Sequence, residues 1–295
     1  MVSPPQPGLY AAARRVLLDA LEALEDHLDS LVLVGAQAVY LRAGQSTAIA
    51  DPPYTTDGDL SIDPRSLADQ PLLAERLEAA DFHPARERDE SRVGTWEKLV
   101  LAGSVPNLAE DAVVGVDLLV AEAVSGAGRR GARLGVHGKK VAAKSPGLEA
   151  ALVDHTVELL TALEAHDPRE FQVRVAGPAA LLVAKVHKIA DRLADAERGR
   201  VDRLRGGKDL LDILRLYETQ NLDELAASLR RCLADQIAAA ATGTAIEHLR
   251  WFVDADDSPA VASIPEQPTT VATANLRAYF VRYTQALLRA LDGQR

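Results

Sequence analysis

The sequence Thr56-Asp57-Gly58-Asp59-Leu60-Ser61-Ile62 alternates polar and apolar residues from Asp57 onward, as a half-buried β-strand does. Two carboxylates separated by one residue lie on the same face of such a strand. Two anions on one face repel each other unless a cation lies between them, and a set of oxygen ligands suits Mg²⁺. We therefore expect Asp57 and Asp59 to bind a divalent metal, although Asp-x-Asp pairs also occur by chance on solvated loops.

A third acid lies in another apolar segment, Val113-Val114-Gly115-Val116-Asp117-Leu118-Leu119-Val120. A charged residue inside an apolar strand is costly unless it is paired, bound to a metal or placed at the end of the strand. If the two strands are neighbours, Asp117 completes a cluster of three carboxylates. Such a cluster can hold two metal ions around a phosphoryl group that is being transferred.

A strand, a glycine and a helix are predicted upstream of the Asp pair. The apolar run Leu31-Val32-Leu33-Val34 is typical of a buried strand, and the sequence from Gly35 and Ala36 onward favours a helix. A glycine at this turn allows backbone N–H groups to approach a phosphate at the helix N-terminus. It also fits a turn that needs glycine for its geometry alone, so both interpretations stay open.

The order of these patterns predicts the fold class and the division of the chain. Residues 1–144 alternate between helix and strand patterns, which indicates an α/β (α+β) domain with a mixed sheet and flanking helices. Residues 145–295 are expected to form a mainly α-helical C-terminal domain. The predicted helices cover residues 10–28, 66–80 (capped by Ser66), 148–163, 179–193, 209–217, 222–240 and 275–291, and further strands cover residues 95–101, 113–120 and 171–175.

Composition excludes several classes of protein. The 295 residues are 47% hydrophobic and carry a formal net charge of −10, which excludes a wholly disordered chain. No run of about 18 apolar residues and no secretory signal is present, so we expect a cytoplasmic protein without a membrane span. A single cysteine, Cys232, excludes an intramolecular disulfide and a zinc cluster built on cysteines, and we expect a buried thiol.

Cationic residues cluster at two places. Lys185, Lys188 and Arg192 are spaced three and four apart, so they share one helix face that either is solvated or binds an anion. Asp209 begins the next predicted helix, where the helix dipole alone would favour an acid. A second stretch has no acid between Gly128 and Lys144, and it either contacts an RNA backbone or is a loop without a partner. Its cations are Arg129, Arg130, Arg133, Lys139, Lys140 and Lys144.

Taken in order, these motifs resemble a known superfamily. Val34-Gly35-Ala36, Thr56-Asp57-Gly58-Asp59-Leu60 and Val116-Asp117-Leu118 resemble the core of the DNA polymerase beta-like nucleotidyltransferases. The downstream segments, residues 175–185, Arg192 and residues 208–213, look like the AbiE-type toxin nucleotidyltransferases. That group includes the abortive-infection toxins and the mycobacterial MenT toxins (AbiEii/MenT-like). The resemblance covers residues 31–217.

The resemblance implies a minimal nucleotidyltransferase fold followed by a helical half. It also implies roles for individual residues: Asp57, Asp59 and Asp117 would hold two Mg²⁺ ions, and Asp117 would accept the proton of the acceptor hydroxyl. Lys185 would contact the triphosphate of the NTP co-substrate, and Asp209 would either position Lys185 or bind the nucleotide. The assigned NTP-binding set is Gly35, Ala36, Lys185 and Lys188, with Ala36 standing where relatives often have a serine.

The function expected from these patterns is a Mg²⁺-dependent enzyme that transfers a nucleotide from an NTP to RNA, at the 3′ end of tRNA. By resemblance it would be a toxin with a cognate antitoxin protein as a partner. Two alternatives stay open: a nucleotidyltransferase that modifies a small molecule of the antibiotic type, and a non-catalytic nucleotide-binding protein on the same scaffold. The three acids argue against the last of these.

Overall fold

The structure is a computed structural model that describes residues 8–44, 55–87, 90–128, 130–198, 208–254, 258–262 and 273–293. The chain forms two compact units, each assembled from three segments. The first contains residues up to Gln37, Pro53–Ser145 and His155–Val175, and the second contains the rest. The boundary expected after residue 144 lies beside one of the points at which the chain passes between units. As a boundary between independently folding domains it stays a prediction.

Within the described ranges, nine α-helices and eight strands are present. The helices are α1 (Leu9–Ala23), α2 (Gly35–Ala43), α3 (Leu73–Ala79), α4 (Pro178–Glu197), α5 (Lys208–Thr219), α6 (Leu222–Ala234), α7 (Ala239–Asp254), α8 (Pro259–Ala262) and α9 (Thr273–Asp292). The strands are β1 (Leu31–Val34), β2 (Asp57–Ile62), β3 (His83–Glu87), β4 (Glu90–Val100), β5 (Ala112–Ala121), β6 (Ala143–Ser145), β7 (His155–Thr161) and β8 (Glu170–Ala176).

The strands form one mixed sheet in the order β3-β4-β5-β2-β1-β8-β7, and β6 also pairs with β5. β1 is antiparallel to β2 and parallel to β8, so it joins segments far apart in the chain. β2 and β5 run parallel as neighbours. The mixed sheet and the helical second unit confirm the predicted fold class.

The core of the first unit forms between the sheet and α1. On the sheet, Leu60, Val116 and Leu118 alternate with the more exposed acids and are fully buried. On α1, Val16, Leu17, Ala20 and Leu21 recur at helical spacing and are also fully buried. Burying a Leu or Val side chain contributes about 1.5–3 kcal/mol, so this alternation determines which face of the sheet is left for polar groups.

Gly94 lies in β4 directly before the part of the strand that pairs with β5. From Thr95 onward β4 pairs with β5, whereas the end of β5 pairs with β6 instead. Gly94 has φ +80, and a Cβ built there would lie 2.7 Å from the carbonyl oxygen of Leu118 and against the backbone of Ala143. A residue with a side chain fits neither this backbone conformation nor the space, so glycine is required at position 94.

The second unit is helical and packs around α4. Helix α4 packs on α5, α6 and α7, and it also contacts α8 and residues 149–152, while α9 packs on α5, α6 and α7. Pro178 occupies the first turn of α4, where proline fits well, and the Asp154 carboxylate caps that turn by accepting from the Ala180 N–H at 3.0 Å. In the core, the fully buried Tyr217 hydroxyl bonds to Thr284 Oγ1 at 3.1 Å.

One predicted helix is wrong and another is divided in two. Residues 148–163 form a short 3₁₀ helix (Glu149–Leu152) and then strand β7, since the helix would have to pass through Asp154, which caps α4 instead. Residues 222–240 divide into α6 and α7, because Asp235 Oδ1 accepts the Ile237 and Ala238 N–H groups and begins a new helix.

Two other predicted helices are shorter than expected. The helix predicted over residues 66–80 is limited to Leu73–Ala79, and Ser66 does not cap it, since its hydroxyl donates to the Asp63 carbonyl. The helix predicted over residues 10–28 ends at Ala23, and a 3₁₀ helix follows (Glu25–Ser30). The prediction at Arg129 falls outside the described residues.

Across the described part of the chain, no helix is both long enough and apolar enough to cross a membrane.

We predict that Gly94→Ala lowers the free energy of unfolding by about 2–4 kcal/mol, because left-handed strain adds to a backbone collision. Gly103→Ala is the matched control, since Gly103 has φ +73 and open space around it. The control should lose only the strain energy, about 1 kcal/mol. Urea denaturation measures both, and equal losses in the two variants would contradict the packing described for Gly94.

Candidate functional site

The three predicted acids lie together on one face of the sheet. In the parallel pair of β2 and β5, Asp59 lies opposite Asp117 and Asp57 lies opposite Gly115. Because neighbouring strands are about 4.8 Å apart, side chains at paired positions on one face are immediate neighbours. All three acids are half-buried, while the residues that alternate with them are buried. The condition set by the sequence, that the two strands be adjacent, is met.

Two buried threonines hold two of these acids. Thr55 Oγ1 donates to Asp57 Oδ1 at 2.5 Å, and Thr95 Oγ1 donates to Asp117 Oδ1 at 2.5 Å. A hydrogen bond to one carboxylate oxygen fixes the plane of the group, as partners of metal-ligating carboxylates commonly do. Thr95 comes from β4, where it is paired with Asp117. Sequence reasoning missed both threonines, since the role of Thr95 depends on a strand register that no local pattern reveals.

Gly35 is packed directly against Asp59. Gly35 begins α2 with φ +71, and a Cβ built on it would collide with the Asp59 carboxylate. The glycine is therefore required for two reasons: its left-handed backbone and the approach of Asp59 to the start of the helix. Ala36, the next residue, is buried and supplies no hydroxyl. Phosphate contact at this turn would therefore use backbone N–H groups, as the sequence predicts.

A buried arginine and glutamine support the start of β2. The Gln37 side chain donates to the Asp57 carbonyl at 3.1 Å and accepts from Arg14 Nε at 2.8 Å. Arg14 also donates to the Thr161 carbonyl at 2.8 Å and lies beside Tyr10. Burial lowers the pKa of Arg14, and the neighbouring Tyr10 opposes that shift. The chain of bonds holds the backbone that carries Asp57, and no sequence signal distinguished Gln37 from its apolar neighbours.

The three carboxylates are of the chemical type that binds a divalent cation, but their side chains are not arranged as a complete metal site. Three carboxylates on one half-exposed face provide oxygen ligands of the kind Mg²⁺ prefers. Among the described residues, however, no group of three His, Cys, Asp or Glu side chains is arranged so that it could hold a metal ion. Metal binding by Asp57, Asp59 and Asp117 therefore stays a prediction, and it requires these carboxylates to turn toward one another.

The contact between Gly35 and Asp59 predicts a strong coupling between the two positions. Gly35→Ala should cost about 2–4 kcal/mol of unfolding free energy, because strain and the carboxylate collision add. In an Asp59→Gly background the same change should cost at least about 1 kcal/mol less, since only the strain remains. A double-mutant cycle followed by chemical denaturation measures this difference. Additive losses would show that Asp59 does not lie against Gly35.

The second predicted cluster lies within the helical unit. Lys185 Nζ donates to Asp209 Oδ1 at 2.9 Å and to Asp212 Oδ2 at 2.7 Å, and Lys185 is only 4% exposed. Arg192 also pairs with Asp209, and Arg215 pairs with Asp212 at 3.0 Å. These bonds join α4 to α5. The arrangement is the one expected if Asp209 positions Lys185, while direct contact of Lys185 with a triphosphate stays a prediction.

The charges of this cluster are stabilised by one another. Burial opposes the charge of Lys185, but Asp212 and Asp209 outweigh it and raise the pKa of the lysine. Burial likewise opposes the charge of Asp209, but Lys185, Lys188 and Arg192 hold the pKa of that carboxyl well below its usual range. Lys188 is exposed, so the interpretation of these cations as one solvated face is wrong for Lys185 and holds for Lys188.

We predict that Lys185→Met costs about 3–5 kcal/mol of stability near neutral pH, because it removes the buried cation that Asp209 and Asp212 share and leaves each with a single arginine. The folded pKa of Asp209 is lowered, so its contribution is present above the unfolded value near 3.8 and is lost as the pH falls below it. The folded pKa of Lys185 is raised, so its contribution is complete below about 10.5. The loss should therefore be constant from about pH 5 to 9 and shrink in acid.

Denaturation of both proteins across this pH range tests the prediction, with Lys188→Met as the control on the same helix. The exposed control should lose less than about 1 kcal/mol. An effect of Lys185→Met no larger than that of Lys188→Met would contradict the buried network.

The remaining predicted residues belong to the basic stretch and to the single cysteine. In the basic stretch, Arg130, Arg133, Lys139 and Lys140 are exposed, while Lys144 donates to the Gly126 carbonyl. Cys232 is buried, and burial raises the pKa of its thiol to about 12, which fits the expected structural role.

Comparison with known proteins finds similar solved structures and no matching family. No family model matches the chain, and no curated protein matches it. The chain is similar to JHP933 from Helicobacter pylori at 15% identity and a TM-score of 0.41, covering 97% of this chain and 94% of that one. It is also similar to an H. pylori protein described as a "putative nucleotidyltransferase", at 11% identity and a TM-score of 0.38, covering 99% of each chain. Similarity at this level assigns neither a family nor an activity to the chain.

Proposed function

We propose that the protein is a Mg²⁺-dependent nucleotidyltransferase that transfers a nucleotide from an NTP to an RNA acceptor, the 3′ end of tRNA. The observation that carries the proposal is the strand register, which places Asp59 beside Asp117 with Asp57 two residues earlier on the same face. Carboxylates in this arrangement, oriented by buried hydroxyls and left half-exposed, suit a cation-dependent reaction of phosphates better than a structural role.

In the proposed reaction, the acceptor hydroxyl oxygen forms a bond to the α-phosphorus of the NTP. The bond from that phosphorus to the bridging oxygen breaks, and pyrophosphate leaves with the electron pair. The Asp117 carboxylate, oriented by Thr95, takes the proton of the hydroxyl. Asp57, Asp59 and Asp117 would hold Mg²⁺, which when bound would neutralise charge on the phosphates. The backbone of Gly35 and Ala36 at the start of α2 would contact the phosphates.

RNA is favoured as the acceptor by the exposed cations of the first unit. Arg130, Arg133, Lys139 and Lys140 are exposed in a chain whose net charge is −10. Local cations of this kind bind a phosphate backbone even when the whole protein is acidic. Action as a toxin with a cognate antitoxin rests on the family resemblance alone and forms the finer part of the proposal.

The test is transfer of label from each α-labelled NTP to total tRNA in the presence of Mg²⁺. Asp57→Asn, Asp59→Asn and Asp117→Asn should each reduce transfer at least about 100-fold, because each removes a charged ligand. Thr95→Val should reduce it about 10–100-fold by releasing Asp117. Asp29→Asn is the control, since the Asp29 side chain is 98% exposed and its loss should leave transfer unchanged.

The alternatives predict different results in the same assay. Transfer to a small cationic molecule and not to RNA would support the small-molecule enzyme. Metal-dependent NTP binding without transfer to any acceptor would support the non-catalytic protein and overturn the proposed reaction. For the toxin role, expression of the wild type should arrest growth, and Asp57→Asn should abolish the arrest. Growth arrest by the inactive variant would contradict a toxin that acts by transfer.

A further inference from the structure

The first unit contains a cavity of about 430 Å³ in which the proposed reaction places no ligand. It lies among α3, the paired strands β3 and β4 and the segment 137–141. Its volume falls within the range of about 300–1,000 Å³ typical of small-molecule sites. Trp96, Pro84 and Val141 provide an apolar wall, and the Trp96 indole N–H donates to the Val141 carbonyl at 3.0 Å. The indole is therefore fixed in place as part of the wall.

Cations surround this apolar wall. Arg92, Lys139 and Lys140 line the cavity and are exposed, and among the described residues no ion pair engages them. Three cations near one another repel, and a ligand that carries a phosphate would relieve that repulsion. The cavity therefore combines a surface for a flat apolar group with charges for an anion.

The segment that carries the two lysines is anchored at His137. His137 Nδ1 accepts the Leu73 N–H at 3.2 Å, and Nε2 bonds to the Ala68 carbonyl at 2.8 Å. Because a carbonyl only accepts, Nε2 carries the hydrogen and the ring is the neutral Nε2–H tautomer. One side of the cavity is thus fastened to the first turn of α3 before any ligand binds.

Two further lining residues indicate what the ligand is. Glu78 is an acid among cations, and a carboxylate accepts hydrogen bonds from exocyclic amines such as N4 of cytosine. Thr95 also lines the cavity, and its hydroxyl donates to Asp117. Thr95 and Trp96 are successive residues of β4, paired with Asp117 and Val116, so the Trp96 wall lies on the face of the sheet opposite the carboxylates.

We propose that this cavity binds a nucleotide, with its base against the Trp96 wall and its phosphate near Arg92, Lys139 and Lys140. The nucleotide is either a unit of a bound RNA or a free nucleotide. The preference for a nucleotide over other planar anions rests on the proposed function. Glu78 selects bases that carry an exocyclic amine.

The chain has two tryptophans, Trp96 and Trp251, so a Trp251→Phe protein reports on the cavity through Trp96 alone. CMP, UMP and a short single-stranded RNA ending in cytidine are titrated into this protein with EDTA present, which suppresses metal-dependent NTP binding. CMP should give a saturable fluorescence change and bind about tenfold more tightly than UMP. Glu78→Gln should abolish that preference.

The lysines provide the decisive comparison. Lys139→Ala/Lys140→Ala should weaken CMP binding at least tenfold and reduce the salt dependence of RNA binding, since each lost phosphate contact lowers the slope by about 0.7. Arg198→Ala/Arg289→Ala is the control, since it removes two exposed cations, one at the C-terminal end of α4 and one in α9. It should leave CMP binding and the salt dependence of RNA binding unchanged. Tighter binding of the RNA than of CMP would identify RNA as the ligand, and equal or weaker binding would identify a free nucleotide.

The proposal would be overturned if none of the three probes gave a saturable change. It would also be overturned if the double lysine substitution left the affinity for CMP unchanged. Equal affinity for CMP and UMP would overturn the assignment of Glu78. Because the titration needs neither Mg²⁺ nor transfer, binding here with no transferase activity would refute the proposed function and leave the cavity as a nucleotide site. Transfer without binding here would refute the cavity alone.

Discussion

Two acids side by side on parallel strands are the constraint around which the first unit is built. A pair of unit charges about 5 Å apart repels by roughly 3 kcal/mol at an effective dielectric constant of about 20. The pairing of Asp59 with Asp117 is nevertheless enforced by the register of β2 and β5, which buries Leu60 and Leu118 on the opposite face. Slipping the register by one residue would turn the apolar set outward, so the core holds the acids together.

The two units handle buried acids in opposite ways. In the helical unit, Asp209 and Asp212 are buried and receive cations from Lys185 and two arginines, so their charge is neutralised within the protein. In the sheet, the neutral hydroxyls of Thr55 and Thr95 donate to Asp57 and Asp117, and a hydroxyl orients a carboxylate without cancelling its charge. Half-exposed carboxylates can be reached by an external cation, and this difference in exposure separates a candidate reaction site from a buried structural network.

Local sequence patterns predicted the elements whose formation depends on nearby residues alone. Alternation along residues 57–62 predicted the strand that carries two acids, and the apolar neighbours of Asp117 predicted the other. The partners of those acids could not be predicted, since Thr95 and Gln37 act through contacts set by strand register and tertiary packing. The segment 148–163 was misassigned because a helical pattern and a strand pattern overlap there, and only the capping of α4 by Asp154 decides between them. The burial of Lys185 could not be predicted either, because it depends on Asp209 and Asp212, which lie on another helix.

The parallel pairing of β1 with β8 has a consequence for synthesis of the chain on the ribosome. Val32 pairs with Arg174, so about 140 residues must be added before the first strand finds its second neighbour. At about 5–20 residues per second, the nascent chain displays the open edge of β1 for roughly 7–30 seconds. An apolar strand with unpaired N–H and C=O groups invites pairing with other chains during that interval. Residues 155–176 therefore act as the closing piece of the sheet, and a protein truncated before them would be expected to aggregate although both acid-bearing strands were complete.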